Sequence, residues 1–174
     1  MNKQRGFTLI EACATLAVAS IVATSAAPSM QQLLAARRFD GAASQLASDL
    51  QFTRISAVAR NQRLRFSLQT DATGSCYVIH TGSANACQCA ESGPTVCSGG
   101  ANEIRTVRLP AADQVFVQAN VASILFDPVH GTSTPAGTVR VIASNGRELR
   151  HVVNVMGRVR TCSAKGNAGG YRAC

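Results

Sequence analysis

The chain has 174 residues, 46% of them hydrophobic, enough for one core and at most one long appended element. Aromatic residues are 5% with no Trp, which argues against stacked-base platforms and aromatic-lined pockets; a charged fraction of 15% argues against an acidic disordered chain or a coiled-coil rod. The net charge of +8 is unevenly placed: residues 1–60 hold six basic and three acidic groups, residues 61–139 four and five, and residues 140–174 seven against the single Glu148. Of the seven cysteines, Cys13 sits in an apolar N-terminal run, and Cys76, Cys87, Cys89, Cys97, Cys162 and Cys174 fall in the last hundred residues. Six thiols in a small domain suit an oxidising compartment such as the periplasm.

Lys3 and Arg5 precede an apolar run from Phe7 to Ala27 that contains one charge, Glu11. As a helix this run is about 31 Å long, matching the ~30 Å hydrocarbon core of a bilayer. The basic residues ahead of it predict that this end stays cytoplasmic. Ser25-Ala26-Ala27 has the small residues of an ordinary signal-peptide cleavage site, but Pro28 follows at once and Glu11 interrupts the apolar region. A carboxylate in the bilayer is costly and calls for a named partner. The nearest would be an α-amine on Phe7, which exists only if the chain is cut after Gly6.

Gly6-Phe7-Thr8-Leu9-Ile10-Glu11 resembles the class III signal of type IV pilins and pseudopilins. The resemblance implies that a prepilin peptidase removes residues 1–6 and N-methylates Phe7, and that Glu11 then pairs with the Phe7 amine of a neighbouring subunit during assembly. Pro28 matches the position of that family's helix kink. The expected organisation is a leader over 1–6, a transmembrane and assembly helix over 7–33, and a periplasmic head over 34–174. The partners implied are the inner membrane before assembly, then a major pilin and other minor pilins. Cys13 is expected to be a small packing residue of the helix bundle.

Past Pro28 the pattern stays helical to about Arg60, an element of roughly 80 Å if it begins at Phe7. Leu46, Leu50, Thr53 and Ala57 form a semi-apolar stripe, while Arg37, Arg38, Asp40, Asp49, Arg54 and Arg60 fit a solvent or subunit-contact face. Gly41 is a weak point that would mark a bend. From Gln62 the period becomes two, with Leu64, Phe66 and Leu68 alternating with Arg63, Arg65 and Ser67. Further strands are expected near 76–80, 104–109, 114–118, 121–126, 138–143 and 148–155, with Asn145-Gly146 as a type I′ hairpin turn joining the last two. The fold class is α+β, a long N-terminal helix on antiparallel sheets. Phe126-Asp127-Pro128-Val129-His130-Gly131 followed by Gly137 resembles the F-x-P-x-G…G region of the GspH/FimT branch of the pilin family.

Cys87-Gln88-Cys89 with Cys76 and Cys97 could be read as a metal knuckle, but no C-x₂-C pair or well-placed His accompanies it, and exported thiols oxidise. Proximity in sequence gives two disulfides among Cys76, Cys87, Cys89 and Cys97, their pairing open, and one between Cys162 and Cys174. No cofactor and no enzymatic activity are expected: His80, His130 and His151 have no nucleophile motif beside them, and no phosphate or dinucleotide fingerprint is present.

The concentration of Arg140, Arg147, Arg150, Arg158, Arg160, Lys165 and Arg172 near the C-terminus is the footprint of a polyanionic partner. In an extended chain Arg158 and Arg160 point to one face, roughly 6.6 Å apart, with Val159 turned inward. Gly157-Arg158-Val159-Arg160 resembles the G-R-x-R motif of FimT-type minor pilins, which bind DNA during natural transformation. That resemblance implies double-stranded DNA held through phosphate contacts by Gly157, Arg158 and Arg160, supported by Lys165, Arg172, Arg147 and Arg150. The alternative is a structural minor pilin or a secretion pseudopilin that binds no DNA.

Overall fold

The computed structural model describes residues 8–90, 93–164, 166 and 168–174; Gly6, Phe7 and Lys165 lie outside the described residues. One helix, α1, runs Leu9–Ala59 and continues through both Pro28 and Gly41. Thr8 caps it, its hydroxyl accepting the Glu11 backbone N–H at 3.4 Å. Cα packing divides the chain into two units, Met1–Arg37 and Arg38–Cys174. In the first, large apolar residues are exposed, among them Leu9, Ile10, Leu16, Ile21 and Val22, and the helix is long and apolar enough to cross a membrane. Cys13 is exposed and carries a free thiol.

The second unit holds the core. Phe39, Ala43, Leu46, Leu50, Thr53 and Ala57 recur every three or four residues on α1 and are fully or almost fully buried. They pack against two antiparallel sheets. The first has the order β5 (Glu103–Pro110), β2 (Gly74–His80), β1 (Leu64–Asp71), β7 (Ser123–Phe126), β8 (Ser133–Thr134). The second has the order β11 (Val159–Ser163), β10 (Glu148–Val153), β9 (Gly137–Ala143), β6 (Val115–Ala119). Alternation fixes the register of the second sheet: Val139, Val141, Leu149, Val153, Val115 and Val117 point into the core, while Thr138, Arg140, Ile142, Arg150 and Arg160 point outward. The Ser75 hydroxyl binds both the N–H and the C=O of Val117, at 3.0 and 3.2 Å, tying β6 to the first sheet.

β2 is buried on both faces. Tyr77 and Ile79 face the helix, whereas Cys76 and Val78 are covered by a small hairpin of β3 (Cys87–Gln88) and β4 (Val96–Cys97). Disulfides Cys76–Cys89 and Cys87–Cys97 fix that hairpin, and Cys162–Cys174 closes the C-terminal tail.

Three expectations from the sequence are corrected. Asp49 is not on a solvent face: it is fully buried, and it accepts hydrogen bonds from the Tyr77 hydroxyl at 2.8 Å and from the Arg105 guanidinium, which also stacks on Phe52. Burial and the Asp49 carboxylate together raise the Tyr77 pKa, so the phenol remains a donor. The turn at Asn145-Gly146 is not type I′, because only Gly146 has positive φ; it closes as a tight turn ending in a left-handed glycine, with Gly146 N–H donating to Ala143 O at 2.9 Å. Finally, the strand expected near 148–155 is not the last. Residues 159–163 are themselves a strand, β11, at the edge of the second sheet.

Candidate functional site

The site is built on the β10–β11 hairpin. Val153 pairs with Val159, and the connection Asn154–Arg158 is held at several points. Gly157 N–H donates to Asn154 O at 2.8 Å, and Arg158 N–H donates to the Asn154 side-chain oxygen at 2.9 Å. From outside the hairpin, Ser133 N–H donates to Val155 O at 2.9 Å and the Ser133 hydroxyl to Asn154 O at 2.6 Å.

Gly157 is the tightest point. Its φ is +71°, and a Cβ there would lie 2.1 Å from Gly131 O and 2.9 Å from Arg54 Nε. Arg54, expected on a solvent or subunit-contact face, instead donates from Nε to Gly131 O at 2.9 Å. Helix, 127–131 turn and hairpin therefore meet at Gly157. Gly157 is itself buried and sets the turn from which Arg158 and Arg160 follow.

Beyond it, Val159 packs on the core while Arg158 and Arg160 are exposed. Among the described residues neither arginine forms an ion pair. The rest of the tail folds back beside β11. Ser163 N–H donates to Arg172 O at 2.8 Å, and Cys174 N–H donates to Ser163 O at 3.0 Å. The 162–174 disulfide covers this return, and Arg172 is exposed on it. The other two expected arginines each have an acidic partner. Arg147 lies at the opposite end of β10, 3.2 Å from Asp40 and stacked over Phe39 with 22% of its side chain exposed, and so is not brought together with Arg158 and Arg160. Arg150 Nε pairs with Glu148 at 2.8 Å.

His151 lies under the hairpin, wholly buried. Its Nδ1 is 2.9 Å from the Thr161 hydroxyl, and its Nε2 has no partner among the described residues. Burial lowers its pKa from 6.5 to about 4. Between those values the unfolded chain takes up a proton that the folded chain refuses, so stability is full above pH 6.5 and falls as pH drops towards 4. The loss at pH 4.5 is expected to be about 2.5 kcal/mol. Urea unfolding at pH 7 and pH 4.5 checks this, with His151→Leu expected to remove most of the difference. His80, also lowered by burial, contributes with the same sign. Its Nδ1 donates to Thr81 O at 2.7 Å, leaving Nε2 to accept from Ser67 at 2.8 Å. Both side chains are buried and join β1 to β2. Among the described residues no group of three or more His, Cys, Asp or Glu is placed to hold a metal ion.

Residues 1–27 match the prokaryotic N-terminal methylation motif, and residues 42–157 match the family described as type II transport protein GspH. The chain belongs to the GspH family. It is thus a minor pilin or pseudopilin of the type IV pilus or type II secretion kind, a family of structural pilins rather than enzymes. Such proteins work within pilus or pseudopilus assemblies with other pilins, and the methylation motif and apolar N-terminal helix fit anchoring in the inner membrane before assembly. Among solved structures, the Pseudomonas aeruginosa type IV minor pilin FimU is similar at 20% identity and a TM-score of 0.51, over 71% of this chain and 87% of that one. A second crystal form of FimU gives 19% and 0.47, over 70% and 90%. The minor pseudopilin EpsH of the Vibrio cholerae type 2 secretion system gives 11% and 0.45, over 71% and 95%. At these identities the likeness is one of fold. No curated protein matches the chain significantly. The GspH-family match ends at Gly157, so Arg158–Cys174 lies outside it.

Proposed function

We propose that this GspH-family chain is a minor pilin of a type IV pilus that binds double-stranded DNA without sequence preference, for uptake in natural transformation. The observation that supports the reading is the pair Arg158, just ahead of the edge strand β11, and Arg160, on it, both exposed, without ion pairs among the described residues and following the anchored turn at Gly157. Guanidinium forks are suited to phosphate oxygens. The exposed Arg172 and, by sequence, Lys165 add charge to the same disulfide-closed tail.

Contacts of this kind fix phosphates and read no bases. Binding by the full chain in zwitterionic detergent micelles should therefore be indifferent to duplex sequence, with Kd on the order of 10⁻⁴–10⁻⁶ M at physiological salt. Fluorescence anisotropy with unrelated duplexes tests it; absence of binding even at low salt leaves the purely structural minor pilin or secretion pseudopilin.

In this reading a prepilin peptidase cuts between Gly6 and Phe7 and methylates Phe7. Residues 7–33 hold the protein in the inner membrane with the head, residues 34–174, in the periplasm, and Glu11 serves assembly with the major pilin and other minor pilins. Mass spectrometry of the mature protein should find methylated Phe7 at its N-terminus. Glu11→Ala should insert in the membrane yet be missing from sheared filaments; an N-terminus at Pro28, or normal incorporation of the variant, contradicts this part.

A further inference from the structure

The outward face of the second sheet carries a like-charge pair that nothing in the fold requires. Arg140 on β9 stands directly opposite Arg150 on β10, and both point away from the core. Like charges directly opposite one another destabilise a strand pair, and a Thr or Val would suit the position better for packing. One strand further on, Arg160 pairs with Val152, which places it diagonal to Arg150 at about 7–8 Å. Arg140, Arg150 and Arg160 thus form an oblique line across three strands, continued along the chain by Arg158.

The charged groups flanking this line are few. Among the described residues Glu148 is the acid on this face, and it takes Arg150 Nε, leaving that guanidinium's terminal nitrogens uncommitted to it. Arg140 Nη2 donates to the neutral Gln118 side chain at 2.9 Å and has no carboxylate partner. Arg140 also borders an open hollow whose lining mixes polar Thr70, Gln118 and Asn120 with apolar Leu68, Val121 and two alanines, and includes no acid.

We propose that this oblique line of arginines extends the phosphate-binding site out of the tail and across the sheet, with Arg140 as its far anchor and double-stranded DNA as its occupant. The inference rests on the reading of the tail as a DNA-binding element. A run of cations across the sheet suits a linear array of phosphates, and a polyanion lying along it would offset the Arg140–Arg150 repulsion.

The test uses the full chain in zwitterionic micelles, a short duplex of arbitrary sequence, and affinity measured at several salt concentrations. Each phosphate contact contributes about 0.9 to the slope of log K against log salt, so that between about 50 and 200 mM salt it weakens binding by roughly 3.5-fold. Arg140→Gln is expected to flatten the slope by about 0.9 and to leave the thermal midpoint unchanged or raised. Glu148→Gln, which frees Arg150, is expected to tighten binding about threefold, a gain that a merely structural role for Glu148 would not give.

Wild-type slope and affinity in Arg140→Gln, with binding still lost on replacing Arg158 and Arg160, overturn the extended track while leaving the tail reading intact. No binding by the wild type overturns the tail reading itself. If Arg140→Gln weakens binding to vesicles of anionic phospholipid but not to DNA, the face is a membrane contact and the assignment to DNA is wrong.

Discussion

Gly157→Ala is expected to lower the stability of the head by about 4 kcal/mol and to weaken DNA binding without removing a single charge. Two costs add. A non-glycine residue held at φ +71° is strained by about 1–2 kcal/mol, and a methyl 2.1 Å from the Gly131 carbonyl oxygen must push backbone aside, typically another 1–3 kcal/mol. The push falls on the turn that carries Arg158, so the guanidiniums lose their fixed spacing. Gly131→Ala is the control: its φ is also positive, +64°, but its Cβ would meet only side-chain atoms of Arg54 and Val58, at 3.2 Å. Urea unfolding of both variants decides it. A Gly157→Ala protein within about 1 kcal/mol of wild type contradicts the packing described for this turn.

Much of the architecture was legible because it follows from period. The stripe Leu46, Leu50, Thr53, Ala57 and the alternation from Leu64 onward fix the helix and the first strand, since each buries only one face. Asp49 was misread for a physical reason: a carboxylate defaults to solvent, and its two partners, Tyr77 and Arg105, lie 28 and 56 residues away, where no local pattern announces them. Arg54 escaped in the same way, its partner Gly131 being 77 residues distant. β11 was missed as a strand because it is short and its apolar content is slight, with Arg160 outward; pairing with β10 supplies what its own sequence lacks. The G-R-x-R stretch was visible as chemistry, but the division of labour within it, Gly157 buried and Arg158 and Arg160 exposed, needed the 127–131 turn in place. Arg147 shows the reverse error: counted with the basic tail by sequence, it is held by Asp40 and Phe39 from the helix.

Replacing both Arg158 and Arg160 with Gln is expected to have the largest effect on binding. Both side chains are exposed and form no ion pair among the described residues, so the fold should be unaffected and the thermal midpoint should stay within a degree or two of wild type. Two lost phosphate contacts remove about 1.8 from the slope of log K against log salt. The weakening of binding between about 50 and 200 mM salt then shrinks by roughly 12-fold relative to wild type. Lysines at both positions should restore charge and most of the slope while losing the forked geometry. Conversion of Arg147, which is already paired, should change binding far less.

The most direct measurement is the salt dependence of duplex binding by the full chain in micelles, wild type beside the Arg158→Gln, Arg160→Gln double variant. The account predicts sequence-independent binding whose log–log slope falls by about 1.8 in the double variant, with the fold intact. Identical slopes for the two proteins, or a wild type that fails to bind at low salt, would contradict it.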